Sequence, residues 1–395
     1  MMYHVCDRIC YAKACGMTTP DTCRSLYVHV PVCRTRCGYC DFYSEVLDET
    51  RAPVLVDALL AELAAWVRRV PLRLDTIYVG GGTPTVLPLR ELHRLLDAAR
   101  ALAEPTGVEF TVEANPATVT GEVAEALVGA GVNRVSLGAQ SFILDELRAL
   151  DRRHAPEQVG QTVATCRHAG ISQVSLDLIF GIPGQTLRSW EESLTRTLEL
   201  EPEHVSCYGL TYEAGTPLAG RLELGEVERV DEDVEADMYE LILDRLPAAA
   251  WGHYEISNFA RPGAECRHNL RYWHNEPYLG VGPSAAGFVD EVRYKNVADT
   301  AAYVAAIEAG RSAWCEEERL PAERRARETA MLELRLMEGI DRGRFAARYG
   351  QDPVEFFAEA VARNVANGLL AVDAQAVRLT RRGVLLANRV CADFL

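Results

Sequence analysis

Short runs of apolar and β-branched residues alternate along this chain with stretches of helical periodicity. Runs of this kind are typical of parallel strands that are covered on both faces. They span residues 26–30, 76–79, 108–113, 134–137, 173–180 and 204–209. Apolar residues between the runs recur at the spacing of an amphipathic helix. Two such sets are Leu59, Leu63, Trp66, Val67 and Val70, and Trp190, Leu194 and Leu198.

The repeated strand–helix units predict a parallel α/β sheet with right-handed crossovers. Six units are too few to close an eight-stranded barrel, so we expect an open, partial (β/α)6 TIM-like barrel. A doubly wound sheet has the same periodicity and is the alternative architecture. Ligands bind at the carboxyl ends of the strands in both.

The pattern changes after about residue 215, where an acidic helical stretch begins. From residue 321 the chain is helical, and it ends with two short strand signals at 368–372 and 377–380. A mainly helical, winged-helix-like C-terminal domain is expected there. The predicted division is an extension at 1–24, a core at 25–250, a connecting segment at 251–315 and the C-terminal domain at 316–395.

Composition and charge narrow the class of function. Hydrophobic residues make up 48% and charged residues 25% of the chain, as in a globular protein. The formal net charge is −16 and there is no basic run, which argues against a nucleic-acid partner. The sequence lacks the run of about 18 apolar residues that a membrane span needs. We expect a cytoplasmic protein, because residues 1–21 lack the apolar core of a signal peptide; peripheral membrane contact is left open.

Twelve cysteines are a high number for such a chain. In a reducing compartment, tight cysteine spacing indicates metal binding rather than a disulfide framework. Cys33, Cys37 and Cys40 place three thiolates on the loop after the first strand. This set suits an iron–sulfur cube that has one iron without a cysteine, whereas a structural zinc site normally has four ligands. Three buried thiols, or a zinc loop, are the alternatives.

Other polar motifs follow the remaining predicted strands. The segment from Gly80 to Pro84 follows the second strand, and Glu113 ends the third. Gln140 follows the fourth strand, and Asp177 lies within the fifth. Because the carboxyl ends of parallel strands meet at one edge, we expect these residues to form one site with the cysteine loop.

The spacing Cys33-x3-Cys37-x2-Cys40 after a first strand resembles the radical S-adenosylmethionine superfamily. The resemblance implies a [4Fe-4S] cluster on these cysteines, with S-adenosylmethionine chelated at the open iron and cleaved by one electron. Arg152 suits the carboxylate of that molecule, since a guanidinium can bind both oxygens. Further residues are implied as its contacts: Tyr27, Tyr39, Gly80, Gly81, Gly82, Thr83, Glu113, Gln140 and Asp177.

Longer motifs at residues 26–33, 40–42, 80–85, 177–185 and 268–273 resemble the HemW family of haem chaperones, relatives of the oxygen-independent coproporphyrinogen III oxidases. The oxidase pattern has a further cysteine where this chain has Phe42. The chaperone pattern His-Asn-x-x-Tyr-Trp begins at His268, which the resemblance makes the candidate haem ligand. Imidazole is a common axial ligand of haem iron. A histidine satisfied within the fold, Cys266 or His274 are the alternatives.

The resemblance implies a protein that binds haem and delivers it to haem-requiring, respiratory proteins. A coproporphyrinogen III oxidase, which Phe42 opposes, or another porphyrin-acting radical enzyme is the alternative, so enzymatic activity is left open. No catalytic residue is assigned, although His29 is a candidate near the cluster. Cys6, Cys10 and Cys15 match no metal pattern, and we expect translation to start at Met17.

Overall fold

The computed structural model describes residues 22–395 of the chain, so Cys6, Cys10, Cys15 and the expected start at Met17 lie outside the described residues. The strands are β1 (Cys23–Val30), β2 (Val32–Cys33), β3 (Glu45–Val46), β4 (Leu72–Gly81), β5 (Glu109–Ala114), β6 (Arg134–Gln140), β7 (Gln173–Phe180), β8 (His204–Gly209), β9 (Gly252–Glu255), β10 (Asn258–Ala260), β11 (Leu279–Val281), β12 (Ala286–Val289), β13 (Val292–Asn296), β14 (Trp314–Glu318), β15 (Ile340–Asp341), β16 (Leu370–Val372) and β17 (Ala376–Leu379).

The helices lie mainly between the parallel strands and in the C-terminal region. They are α1 (Ala52–Val67), α2 (Leu89–Arg100), α3 (Gly121–Gly129), α4 (Leu144–Ala149), α5 (Pro156–Ala169), α6 (Leu187–Glu199), α7 (Pro217–Glu223), α8 (Glu232–Ala248), α9 (Arg267–Trp273), α10 (Thr300–Glu308), α11 (Ala322–Glu333), α12 (Arg342–Tyr349), α13 (Pro353–Phe356), α14 (Ala358–Ala366), α15 (Arg381–Leu385) and α16 (Ala387–Ala392). A short 3₁₀ turn covers Pro84–Val86.

Six parallel strands form the centre of the main sheet, in the order β1-β4-β5-β6-β7-β8. They coincide with the six predicted runs, which confirms those strands. Because each strand lies beside the one before it, right-handed crossovers keep the connecting helices on one face of the sheet. A doubly wound sheet would instead reverse its strand order. The sheet ends at β11 on one side and at β9 on the other, so the predicted open, partial barrel is confirmed.

The amphipathic stretches form the helices that cover the outer face of the sheet. In α1, Leu59, Leu63 and Trp66 are buried at successive turns. In α6, Trp190 and Leu194 are fully buried. This helix begins after Thr186, whose hydroxyl accepts a hydrogen bond from the Ser189 main-chain N–H and so satisfies one of the free donors of the first turn.

The central strands carry polar side chains on their inner face, rather than the continuous apolar runs expected for a sheet covered equally on both sides. On β6, Val135 and Leu137 are fully buried toward the helices. Arg134, Ser136 and Gly138 alternate with them and line an internal cavity. Alternate residues of a strand point to opposite faces, so the inner face of the barrel is polar and its outer face apolar.

Residues after the core helices extend this sheet at both edges, across the boundary predicted at residue 250. Strands β9 and β10 continue it antiparallel beyond β8, whereas β11 lies parallel to β1 at the opposite edge. The chain between β10 and β11 therefore crosses the amino-terminal ends of the strands, and α9 lies on that path. The carboxylate of Glu109, the first residue of β5, accepts hydrogen bonds from the main-chain N–H groups of Arg267 (2.8 Å) and His268 (2.9 Å). These bonds fix the start of α9 beneath the barrel.

The C-terminal region is mainly helical, as expected, and contains a small sheet. The two predicted strand signals form β16 and β17, which pair antiparallel, and β15 adds a third strand that the sequence pattern did not indicate. Phe345, Val377 and Phe394 are buried in its core. Among residues 22–395, none of the helices combines the length and the apolar content that crossing a bilayer requires.

Candidate functional site

A cavity of about 920 Å³ occupies the inside of the partial barrel. We call its two ends the mouth and the floor. The mouth is lined by the cysteine loop and by residues at the carboxyl ends of the strands, including Gly82, Gln140 and Arg152. The floor is lined by Arg134 and His204 at the amino-terminal ends of β6 and β8, by Tyr78 of β4, which lies level with Arg134 in the sheet, and by Asn269 of α9. Gln140 lies six positions after Arg134 on β6, which corresponds to about 20 Å of extended strand.

The three predicted cluster ligands lie together at the mouth. Cys33, Cys37 and Cys40 are partly buried and all face the cavity. The Thr83 hydroxyl donates to the Cys33 Sγ atom at 3.6 Å, and the Arg152 Nη1 atom donates to the Cys37 Sγ atom at 3.5 Å. Hydrogen bonds and positive charge of this kind stabilise thiolates.

Burial acts in the opposite sense on these thiols. It raises the pKa of Cys33, and it raises the pKa of Cys40 to about 11. Iron must therefore displace a proton when it binds them. In the part of the chain that the structure describes, no three His, Cys, Asp or Glu side chains converge to hold a single metal ion. The thiolates of a cube bind different iron atoms and need not share one point, so this donor set fits an iron–sulfur cluster.

The glycine segment after β4 makes a close contact with the strand beside it. The Glu113 carboxylate accepts hydrogen bonds from the Gly81 N–H and the Tyr78 hydroxyl, each at 2.8 Å. A Cβ atom at Gly80 would lie 2.5 Å from the Glu113 Cδ atom, and one at Gly82 would lie 2.5 Å from the Val32 carbonyl oxygen. Glycine is therefore required here by the protein's own packing, as well as for the approach of a ligand. Burial raises the pKa of Glu113 to about 7.

The predicted contacts from the later strands also face the cavity. Gln140 has a φ of +64° at a register shift that ends β6, and such a bulge re-aims the side chain. Arg152 donates from Nη2 to the Gly138 carbonyl oxygen. Asp177 accepts hydrogen bonds from the hydroxyls of Ser136, Ser206 and Ser175 at 2.9, 2.8 and 3.2 Å. Tyr39 and Thr83 line the mouth as well.

Tyr27, His29 and Gly80 lie behind the cavity wall rather than on it. The Tyr27 hydroxyl donates to the His29 Nδ1 atom at 2.9 Å, so that Nε2 carries the proton and donates to the Tyr43 carbonyl oxygen at 2.9 Å. Burial lowers the pKa of His29, which favours this neutral form. Both ring nitrogens are engaged within the protein, and His29 fastens the end of the cysteine loop to β1. Its predicted catalytic role stays untested.

His268 is fully buried on α9, beneath the cavity floor. Its Nδ1 atom lies 3.0 Å from the Thr76 hydroxyl, and its Nε2 atom lies 2.7 Å from the Tyr272 hydroxyl. The Thr76 hydroxyl donates to the Ser25 hydroxyl, so it accepts a hydrogen bond from Nδ1–H of His268. The Nε2 lone pair then accepts a hydrogen bond from the Tyr272 hydroxyl. Burial lowers the pKa of His268 to about 3, so the ring is neutral.

The two alternative ligands differ in environment. Burial raises the pKa of Cys266, and this thiol is fully enclosed beside Glu109. The His274 side chain is 19% exposed and lies 3.7 Å from the Glu333 carboxylate and 3.8 Å from the Glu338 carboxylate. His268, Cys266 and His274 therefore stay alternatives for binding iron.

The sequence analysis missed the polar residues of the floor. Arg134 and His204 begin β6 and β8, and Asn269 reaches the cavity from α9. A signal was present, because polar residues recur with a period of two in these strands, as in Arg134-x-Ser136 and His204-x-Ser206. In a parallel strand that is covered by helices, such alternation indicates a polar interior.

Comparison with known proteins agrees with this architecture. A model of the radical SAM superfamily matches residues 27–196, and a model of the HemN C-terminal domain matches residues 320–386. The heme chaperone HemW of Bacillus subtilis is 35% identical to this chain, and the match covers 94% of this chain and 99% of that protein. The heme chaperone HemW of Mycobacterium tuberculosis strain H37Rv is 37% identical over 94% of both chains. The chain belongs to the HemW family.

The HemW-family fold seen here is shared by a solved oxidase structure. Coproporphyrinogen III oxidase (HemN) from Escherichia coli matches with a TM-score of 0.84 and 23% identity, over 97% of this chain and 92% of that one. At this identity the likeness shows the fold alone. Membership of the radical SAM superfamily implies a [4Fe-4S] cluster and S-adenosylmethionine as cofactors.

Proposed function

We propose that this HemW-family chain is a haem chaperone, which binds haem and transfers it to haem-requiring proteins, respiratory ones among them. The observation that carries the proposal is the 35–37% identity to heme chaperones named HemW over 94% of this chain. The cavity adds physical support, because its 920 Å³ extends well beyond the cysteine loop. If a cluster and S-adenosylmethionine occupy the mouth, the part of the cavity at the floor remains for another molecule.

At the mouth, Cys33, Cys37 and Cys40 would hold the cluster, and Arg152 would hold the carboxylate of S-adenosylmethionine. When bound, this pair of cofactors supplies a one-electron cleavage of a carbon–sulfur bond. Arg152 is suited to this position because its guanidinium lies beside the Cys37 thiol and keeps its charge when buried. The close packing of Gly82 against Val32 keeps the neighbouring backbone in place. Gln140 and Asp177 would orient the remainder of the molecule.

At the floor, His268 is proposed as the ligand that binds haem iron. Its neutral ring and its Nδ1–H bond to Thr76 match the usual state of a metal-binding histidine, in which the second nitrogen donates to a fixed acceptor. The Nε2 lone pair is the atom available to iron, and the Tyr272 hydroxyl donates to it in this structure. Haem binding at His268 would therefore replace the hydrogen bond from Tyr272 with a bond to iron.

The alternative function is that of an oxidase, the oxidative decarboxylation of coproporphyrinogen III. Phe42 occupies the position of the oxidases' further cysteine, and it is 67% exposed at the mouth. A phenyl ring cannot supply a thiol there, although its exposed apolar face can contact a porphyrin or a recipient protein.

The decisive experiment gives the anaerobic, cluster-loaded protein two assays side by side. In the first, the haem-loaded protein is mixed with an apo-haemoprotein, and recovery of the recipient's activity is followed. In the second, coproporphyrinogen III, reductant and S-adenosylmethionine are supplied, and the porphyrin products are separated. We expect transfer of haem and no protoporphyrinogen IX. Formation of protoporphyrinogen IX without haem transfer would replace the chaperone function with that of an oxidase.

A further inference from the structure

Arg134 is a buried positive charge at the cavity floor that none of the functions above uses. It begins β6, is 2% exposed and lines the cavity. Its Nε atom has no hydrogen-bonding partner among residues 22–395. A guanidinium remains protonated in proteins, and a buried charge is costly unless it is paired. Such a group marks a place where an anion would be stabilised.

The acidic side chains near Arg134 each accept hydrogen bonds from other groups. Glu109 accepts the main-chain N–H groups at the start of α9. Glu113 accepts the Gly81 N–H and the Tyr78 hydroxyl. Asp177 is surrounded by the hydroxyls of three serines. Each of these carboxylates attracts the guanidinium through space, but within residues 22–395 none of them forms an ion pair with it, and the guanidinium lines the cavity.

The His204 side chain of the floor is paired within the protein. The two ring nitrogens of His204 lie 2.8 Å from the hydroxyls of Ser175 and Tyr254. Asn269, which is partly exposed on α9, lines the same cavity and carries an amide that can donate hydrogen bonds. A ligand that reaches the floor would therefore meet Arg134 as its charged partner.

We propose that Arg134 is a subsite for a carboxylate of the molecule that enters the cavity. Arginine binds both oxygens of a carboxylate in parallel, which gives the contact direction as well as strength. The inference rests on the proposed haem-chaperone function, under which the carboxylate is a propionate of haem. Arg152 lies at the mouth beside Gly138, about 13 Å of strand away, and serves a different group.

The test compares haem with haem dimethyl ester, in which both propionates are uncharged. Both are titrated into the cluster-loaded wild-type protein and into Arg134→Gln, Arg134→Lys and the exposed-site control Arg188→Gln. We expect wild type and Arg188→Gln to bind haem about 10-fold more tightly than the ester. Arg134→Gln should lose this preference by binding haem more weakly while its affinity for the ester stays unchanged. Arg134→Lys should retain part of the preference, because the charge remains without the two-oxygen geometry.

Each contrary outcome has its own meaning. If Arg134→Gln keeps the wild-type preference for haem, the propionate binds elsewhere and the subsite is refuted, while the chaperone function stands. If it weakens both ligands equally, Arg134 has a structural role and the subsite is again refuted. If Arg134→Gln fails to fold, Arg134→Lys decides, since an unchanged preference in that variant also refutes the subsite. A wild-type protein that binds neither ligand refutes the proposed function itself.

Discussion

The mouth and the floor of the barrel are built from different parts of the sequence and hold their polar groups in different states. The mouth is formed by loops that directly follow β1, β4 and β6, and its cysteines are only partly buried. The floor combines the first residues of strands with α9, which follows much later in the chain. There His268 is fully buried and both of its ring nitrogens are hydrogen-bonded.

This difference indicates how each end can receive a ligand. At the mouth, the three cysteines are partly exposed and line the cavity directly. At the floor, the proposed bond from His268 to iron requires that Tyr272 give up its hydrogen bond, whereas the Arg134 Nε atom has no hydrogen-bonding partner among residues 22–395 and its residue lines the cavity. A ligand at the floor would therefore meet Arg134 first, and the bond to iron would follow a local change in α9.

The largest expected effect tests whether the two ends are independent. Replacing one cluster ligand, as in Cys37→Ser, should abolish the cluster, because two thiolates do not hold a cube stably. Iron and sulfide content per chain is the measurement, with the exposed Cys315→Ser as the matched control that keeps its iron. Haem affinity should change less than about 2-fold. A 10-fold loss of haem affinity in Cys37→Ser would show that the mouth and the floor act as one site.

The next effect concerns Glu113, which joins the mouth to Tyr78 of the floor. Burial raises its pKa from the usual 4.5 to about 7, so the folded protein favours the protonated carboxyl. This difference in pKa contributes about 3 kcal/mol to the free energy of unfolding. The contribution is fully present below the pKa of the unfolded chain and is lost as pH rises through about 7. Glu113→Gln, which resembles the protonated form, should remove this dependence.

Denaturant unfolding of the cluster-loaded protein between about pH 5 and pH 8 measures this effect. The free energy of unfolding of the wild type should fall with pH relative to that of Glu113→Gln. The exposed Glu157→Gln should follow the wild type. Parallel curves for wild type and Glu113→Gln would mean that Glu113 is ionised in the fold across this range.

A smaller effect is expected from Gly82→Ala at the mouth. The new Cβ would lie 2.5 Å from the Val32 carbonyl oxygen, so the glycine segment or the cysteine loop must shift. We expect S-adenosylmethionine affinity to fall about 10-fold, with little change in haem affinity. Isothermal titration measures both, and Gly121→Ala is the control, since a Cβ there meets nothing within 4 Å. Equal loss of both affinities would contradict the separation of the two ends.

The smallest effect tests the floor alone. Tyr272→Phe removes the hydroxyl that donates to the His268 Nε2 atom. If that atom binds iron, haem affinity should rise about 5-fold, the equivalent of one hydrogen bond of about 1 kcal/mol. The gain should vanish in the double variant His268→Ala, Tyr272→Phe. An unchanged haem affinity in Tyr272→Phe would favour His274 or Cys266 as the ligand.

The sequence by itself determined the parallel strands and the loop chemistry of the mouth. Apolar runs such as 173–180 and the helical spacing of Leu59 and Leu63 are local signals, and the spacing of Cys33, Cys37 and Cys40 lies within one loop. The third strand of the C-terminal sheet, β15, was missed because two residues carry no periodicity. The polar alternation of the strands was overlooked, although the sequence contained it.

Only the tertiary structure decided what lies at the floor. His268 and Thr76, which share a hydrogen bond, are 192 residues apart in the sequence. Their contact depends on β10 and β11 lying on opposite sides of the six parallel strands, which carries α9 beneath them. Whether a histidine or an arginine is paired or left facing a cavity follows from such distant contacts, because hydrogen bonding and burial are set by neighbours in space rather than in sequence.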